Sequence, residues 1–117
     1  MGGRSMLNWL FGPRVQHIHA DELKTLMKSE NPPVIVDVRT HPEFRESHIP
    51  KAVHIPLPEV RTRMDELPKE KVIVTVCRTG HRSLVAAQAL QSAGYQVKNL
   101  QGGMELWTGD VVPRSRR

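Results

Sequence analysis

Short apolar runs alternate with helically spaced stripes along most of the chain. Val15-Gln16-His17-Ile18 is the first candidate strand. Residues 20–29 predict a helix. Leu23, Leu26 and Met27 fall at i, i+3 and i+4, Asp21 and Glu22 occupy the first turn, and Lys24 and Lys28 follow, as the helix dipole favours. Asn31-Pro32-Pro33 breaks it. Val34-Ile35-Val36-Asp37-Val38 has the run of apolar residues that marks a strand covered on both faces.

Thr40-His41-Pro42-Glu43 is a capping-box pattern with proline in the first turn, so a short helix carries Phe44 and Arg45. Residues 52–55 form the next short strand. Pro58 opens a helix whose Val60, Met64 and Leu67 share one face, and Pro68 closes it. Residues 71–76 are another buried strand. Residues 83–93 predict a helix with Val85, Ala86, Ala89, Leu90 and Ala93 on one stripe, capped by Gly94. Residues 96–100 are the last strand, and Gly102-Gly103 turns into a short helix ending near Trp107. Strands separated by helices give an α/β fold: a three-layer α/β/α arrangement around a five-stranded, mostly parallel sheet.

The 117 residues suit one compact domain. Apolar residues make up 38% and charged residues 25%, a globular balance, and with five aromatics the core must be aliphatic. No apolar run is long enough to span a membrane. Five of the 17 basic residues lie in 1–14 and 113–117 without any acid; the remaining 12 meet 12 acids, so residues 15–112 are neutral. The net charge of +5 therefore belongs to an N-terminal extension (1–14) and a basic tail (113–117), and gives no reason to expect a nucleic-acid-binding face on the body (15–112). Within the extension, Met6 to Phe11 is apolar but too short for a signal peptide. It reads as packing on the domain's flank or as a weak foot for a membrane or partner, centred on Trp9. Met1 to Ser5 can be a cloning remnant.

The chemistry sits in one loop. Cys77-Arg78-Thr79-Gly80-His81-Arg82 follows a buried strand and ends where a helix begins at Ser83. In open α/β sheets ligands bind beyond the carboxyl ends of strands. Helix-start N–H groups favour anions there, and with Arg78 and Arg82 they lower a thiol's pKa. Gly80 lets the backbone turn with φ > 0 and brings amides inward. The six residues can form a cradle with sulfur at its floor and a guanidinium at its rim. A lone cysteine at a strand end is ordinarily a small buried hydrophobe, but two Arg, a Gly and a His within five residues have no packing purpose. The single cysteine excludes an internal disulfide and a Cys-based zinc cluster, and the six His have no close ligand set, so no metal and no cofactor are expected.

At these residues the sequence resembles the rhodanese family of single-domain sulfurtransferases, over roughly residues 15–108. Three stretches carry the resemblance: Ile35-Val36-Asp37-Val38-Arg39 with Pro42-Glu43-Phe44 and residues 48–56; Val76-Cys77-Arg78-Thr79-Gly80-His81-Arg82-Ser83; and Leu100-Gln101-Gly102-Gly103-Met104-Glu105-Leu106-Trp107. Ser47 and Lys51 stand where the family commonly has Gly, and His54 where Asn is common, all outside the Cys77 loop.

The resemblance implies that Cys77 attacks the outer sulfur of a donor, becomes a persulfide and gives that sulfur to an acceptor. Loop amides and the Ser83 helix start would hold the persulfide, and Arg78 and Arg82 would orient an anionic donor such as thiosulfate, with Thr79, Gly80 and His81 completing the site. Asp37 would anchor structure near the loop and Arg39 would pair with Glu43 or its neighbours. His48 and His54 read as turn hydrogen-bonders and Trp107 as core. With no second cysteine, release needs an external thiol, cyanide or an acceptor protein. A free thiol without an export signal suits the cytoplasm. Two alternatives stay open: a Cys-dependent phosphatase or arsenate reductase of the related fold, whose Cys-x5-Arg loop is one residue longer, and a non-catalytic docking module.

Overall fold

The computed structural model describes residues 14–114. The Trp9 segment lies outside them. Five strands run β1 (Gln16–Ile18), β2 (Val34–Asp37), β3 (Val53–His54), β4 (Ile73–Val76) and β5 (Val97–Leu100), with α1 (Ala20–Met27), α2 (His41–Glu46), α3 (Val60–Arg63) and α4 (His81–Ser92) between them. All ladders are parallel, in the order β1-β5-β4-β2-β3.

Alternation along β4 explains the layers. Ile73 and Cys77 face a cluster with Ala86, Ala87 and Leu90 of α4 and Val60 of α3. Val74 and Val76 face the opposite way, with Ile18, Leu23 and Leu100, under α1 and a 3-10 turn at Gly103–Leu106. The central strand is thus buried on both faces, as its apolar run requires. The carboxyl ends of β2, β4 and β5 lie side by side, which places Asp37, Cys77 and Leu100 at one edge of the sheet.

Three expectations shift. The single helix after Pro58 is instead one α turn between two 3-10 turns, Leu57–Glu59 and Met64–Glu66. The Tyr95 hydroxyl lies 2.6 Å from the Met64 carbonyl and 3.2 Å from that of Leu67. It bonds carbonyls at the end of the segment, where Pro68 offers no N–H to the Met64 carbonyl. The second shift is in α4, which begins at His81 rather than Ser83 and so takes His81 and Arg82 out of the loop. Its buried stripe is Ser83, Ala86, Ala87 and Leu90, and Val85 is 54% exposed. The earlier start is possible because Gly80 sits at the N-cap with φ +107°, a conformation that strains any other residue.

The third shift concerns Arg39, which pairs with Asp37 and not with Glu43. Its Nε and terminal nitrogen donate to both carboxylate oxygens at 2.7–3.1 Å, and the same terminal nitrogen donates to the Ser47 carbonyl at 2.7 Å. Both residues are buried. The pair ties the end of β2 to the end of α2. Trp107 is half-buried against the Ile18 cluster. Lys51 has φ +69°; glycine would be unstrained there.

Candidate active site

Cys77 follows the last residue of β4 and is fully buried. Its sulfur accepts hydrogen bonds from the Gly80 amide at 3.0 Å and from the Ser83 hydroxyl at 3.2 Å. Burial pushes the thiol pKa up; the Ser83 hydroxyl and the amides of Ser83, Gly80 and Thr79 outweigh burial and hold it below the ordinary 9.0. These donors favour the thiolate, the nucleophilic form, over what burial alone would allow.

The loop is held from outside by the turn after β5. The Met104 and Glu105 amides donate to the carbonyls of Cys77 and Arg78, at 2.8 and 3.0 Å. In a trans peptide the N–H points away from its C=O. Fixing those two carbonyls outward therefore directs the Arg78 and Thr79 amides the other way, and the Thr79 amide is among those that stabilise the sulfur. Gly103 makes this approach possible: a Cβ there would stand 2.3 Å from the Cys77 carbonyl oxygen.

The two arginines differ. Arg82 makes an end-on bidentate pair with Glu43, at 2.8 and 2.9 Å. That geometry leaves its Nε–H and two outer N–H groups unused by Glu43. Glu43 also accepts the Thr40 amide and completes the predicted capping box of α2, so one carboxylate links that helix cap to the first turn of α4. The Arg82 bonds first, then those of Thr40, overcome burial and lower the Glu43 carboxyl to about 2. Arg78 is 67% exposed, with only a long 3.5 Å contact to Glu105. Thr79 and His81 are exposed and contact each other at 3.1 Å.

His48 and His54 bond the carbonyls of Phe44 and Arg39, each at 2.7 Å, and so act as N–H donors. Phe44 stacks between their rings, at 3.7 and 4.3 Å. Sequence reasoning missed the pairing of Glu43 with Arg82 and the bond from the Asn99 amide to the Gly80 carbonyl. Glu43 reads as a helix cap and as a partner for Arg39, and neither role points to Arg82. Asn99 gives no distinct signal, because Gln96 and Lys98 make the same predicted strand polar at two other positions. A groove of about 740 Å³ lined by Arg14, Gln91, Tyr95 and Lys98 lies at the other ends of β4 and β5 from Cys77 and forms no part of this site.

The family described as "Rhodanese-like domain" matches residues 19–110. The chain belongs to the rhodanese family. It is 34% identical over 100 residues to a protein named "Sulfurtransferase" from Allochromatium vinosum, covering 85% of this chain and 94% of that one. It is 33% identical over 101 residues to YtwF of Bacillus subtilis, covering 86% of this chain and 98% of the relative. The rhodanese-like domain protein of Staphylococcus aureus superposes with a TM-score of 0.78 at 30% identity, over 88% of this chain and 99% of that one. An NAD-dependent persulfide reductase from A. fulgidus is 40% identical with a TM-score of 0.67, but the match covers 17% of that chain. The family is thus one of sulfurtransferases, and the rhodanese fold expected from the sequence is the fold observed. No helix among the described residues is long and apolar enough to cross a membrane.

Proposed function

We propose that this protein transfers a sulfane sulfur from thiosulfate, or a similar anionic donor, to a nucleophilic acceptor through a persulfide on Cys77. The observation that carries the reading is the Cys77 sulfur held by the Gly80 amide and the Ser83 hydroxyl at the start of α4. The thiolate attacks the outer sulfur of thiosulfate; a new S–S bond forms, and the bond to the inner sulfur breaks and releases sulfite with its electron pair. Cyanide or a thiolate then attacks the terminal sulfur, and the Cys77 thiolate leaves. The donors that hold the thiolate hold the negative terminal sulfur equally.

Arg78, exposed and loosely paired, meets the donor first. Arg82 is pinned by Glu43 and offers its remaining N–H groups to the bound anion. Cys77 is fully buried at rest, so the donor reaches its sulfur only when the surrounding site opens. The chain's single cysteine leaves resolution to an outside nucleophile, and a reactive thiol of this kind belongs in a reducing compartment such as the cytoplasm.

The test is steady-state transfer from thiosulfate to cyanide, with both concentrations varied. Parallel double-reciprocal lines in the wild type, with no turnover in a folded Cys77→Ser variant, are expected. Turnover that survives Cys77→Ser, or hydrolysis of an aryl phosphate as fast as sulfur transfer, overturns the reading.

A further inference from the structure

Asn99 lies inside β5, where it is 2% exposed, between Lys98 and Leu100. Asparagine suits strands poorly, and a buried amide is costly unless its polar atoms are bonded. A leucine or valine would serve the sheet better. The bonds the amide makes explain its presence. Thr75, its register partner on β4, donates its hydroxyl to Oδ1 at 3.2 Å. The amide nitrogen donates to the Gly80 carbonyl at 3.1 Å and faces Nδ1 of His17, its partner on β1, at 3.5 Å. The opposite orientation would press Oδ1 against the Gly80 carbonyl oxygen, which can only accept, so that carbonyl sets which end of the amide meets the loop and the Thr75 hydroxyl braces the other end.

Gly80 is the pivot of the loop. Its N–H donates to the Cys77 sulfur, and its C=O is the group Asn99 holds. It is also the N-cap of α4, in a left-handed conformation that glycine adopts without steric guidance. Something outside the loop must therefore fix its dihedrals. Holding the carbonyl towards β5 turns the His81 N–H, which has no intrahelical partner, away from β5. It also sets the first turn of α4, from which Ser83 reaches the sulfur. The Met104 and Glu105 amides clamp the first half of the loop, and Asn99 clamps the second half.

We infer that Asn99, braced by Thr75, is a positioning residue that aims the Gly80 end of the loop at the Cys77 sulfur. The inference rests on the persulfide reading for its functional meaning. Its physical content is independent: the amide contributes to holding charge on sulfur although it never touches sulfur.

The test is a pH titration of thiolate ultraviolet absorbance, which the lone cysteine makes a single-site signal, with Cys77→Ser as the blank. Asn99→Leu keeps the volume and apolar contacts and removes the donor. The Cys77 pKa should rise by about one unit, a roughly tenfold loss of thiolate at pH values below it. Persulfide formation from thiosulfate should slow at saturation more than the KM rises. Thr75→Val, nearly isosteric, removes only the hydroxyl that braces the amide and should shift the titration the same way by a smaller amount. It decides the matter if Asn99→Leu does not fold. An unchanged titration in a folded variant overturns the inference. A wild type that transfers no sulfur overturns the transferase reading and leaves the titration result standing.

Discussion

Glu43→Gln removes one charge from the link between α2 and the loop and leaves the helix cap in place, because glutamine serves at the third position of a capping box. In the folded protein the carboxyl is lowered from 4.5 to about 2, first by the Arg82 bonds. At about 1.4 kcal/mol per unit, a shift of that size in a shielded group corresponds to about 3 kcal/mol. The carboxylate and guanidinium side chains are 28% and 36% exposed, so solvent screening reduces the pair's contribution to about 1–2 kcal/mol. A carboxyl whose folded pKa is depressed contributes stability that is complete above its unfolded value and is lost as pH falls through the folded value. The gap between wild type and Glu43→Gln is therefore full at neutral pH, begins to shrink near 4.5 and fades towards 2. Urea denaturation of both proteins at neutral pH and at about pH 3 measures it, and the gap at the lower pH should be under half the neutral value. Equal stability at neutral pH would show that the pair contributes nothing. A gap of the same size at both pH values would show that the loss is one of packing rather than of charge.

Arg82→Ala should raise the KM for thiosulfate more than it lowers the rate at saturation, with a combined loss of about 1.5–3 kcal/mol in kcat/KM; an unchanged profile would remove Arg82 from donor binding. Ser83→Ala should raise the Cys77 pKa by about one unit, because the hydroxyl's bond to a charged sulfur is lost while alanine keeps the helix; iodoacetamide alkylation at neutral pH should slow accordingly, and an unaltered rate would contradict the site geometry. Lys51→Gly should raise stability by about 0.5–1 kcal/mol, as relief of left-handed strain exceeds glycine's extra unfolded freedom; thermal denaturation checks the sign.

The strands, their parallel order of burial and the chemical loop were legible because each rests on local signals. Val34 to Val38 and Ile73 to Val76 are apolar runs that only a doubly covered strand explains. Cys77 to Arg82 combines residue types that packing alone does not collect. Thr40 and Glu43 announced their cap correctly. What was hidden depends on distance along the chain. Glu43 lies 39 residues from Arg82, and nothing local shows that the oxygens bonded to Thr40 also meet a guanidinium. Arg39 could have reached either acid; the structure gives it Asp37, because both sit buried at the same strand end. The start of α4 was misplaced because Gly80 reads locally as a loop residue, whereas its left-handed φ lets it serve as the cap. The helix after Pro58 broke into short turns, and the Tyr95 hydroxyl, arriving from beyond α4, bonds the Met64 carbonyl that Pro68 cannot reach with an N–H.

The central claim is that the Cys77 loop exists to hold a charged sulfur, and intact mass after incubation with thiosulfate tests it most directly. The wild type should gain one sulfur atom, about 32 Da, and lose it on adding cyanide, while Cys77→Ser gains none. No mass gain in the wild type from thiosulfate or any other sulfane donor, or an equal gain in Cys77→Ser, would contradict the account.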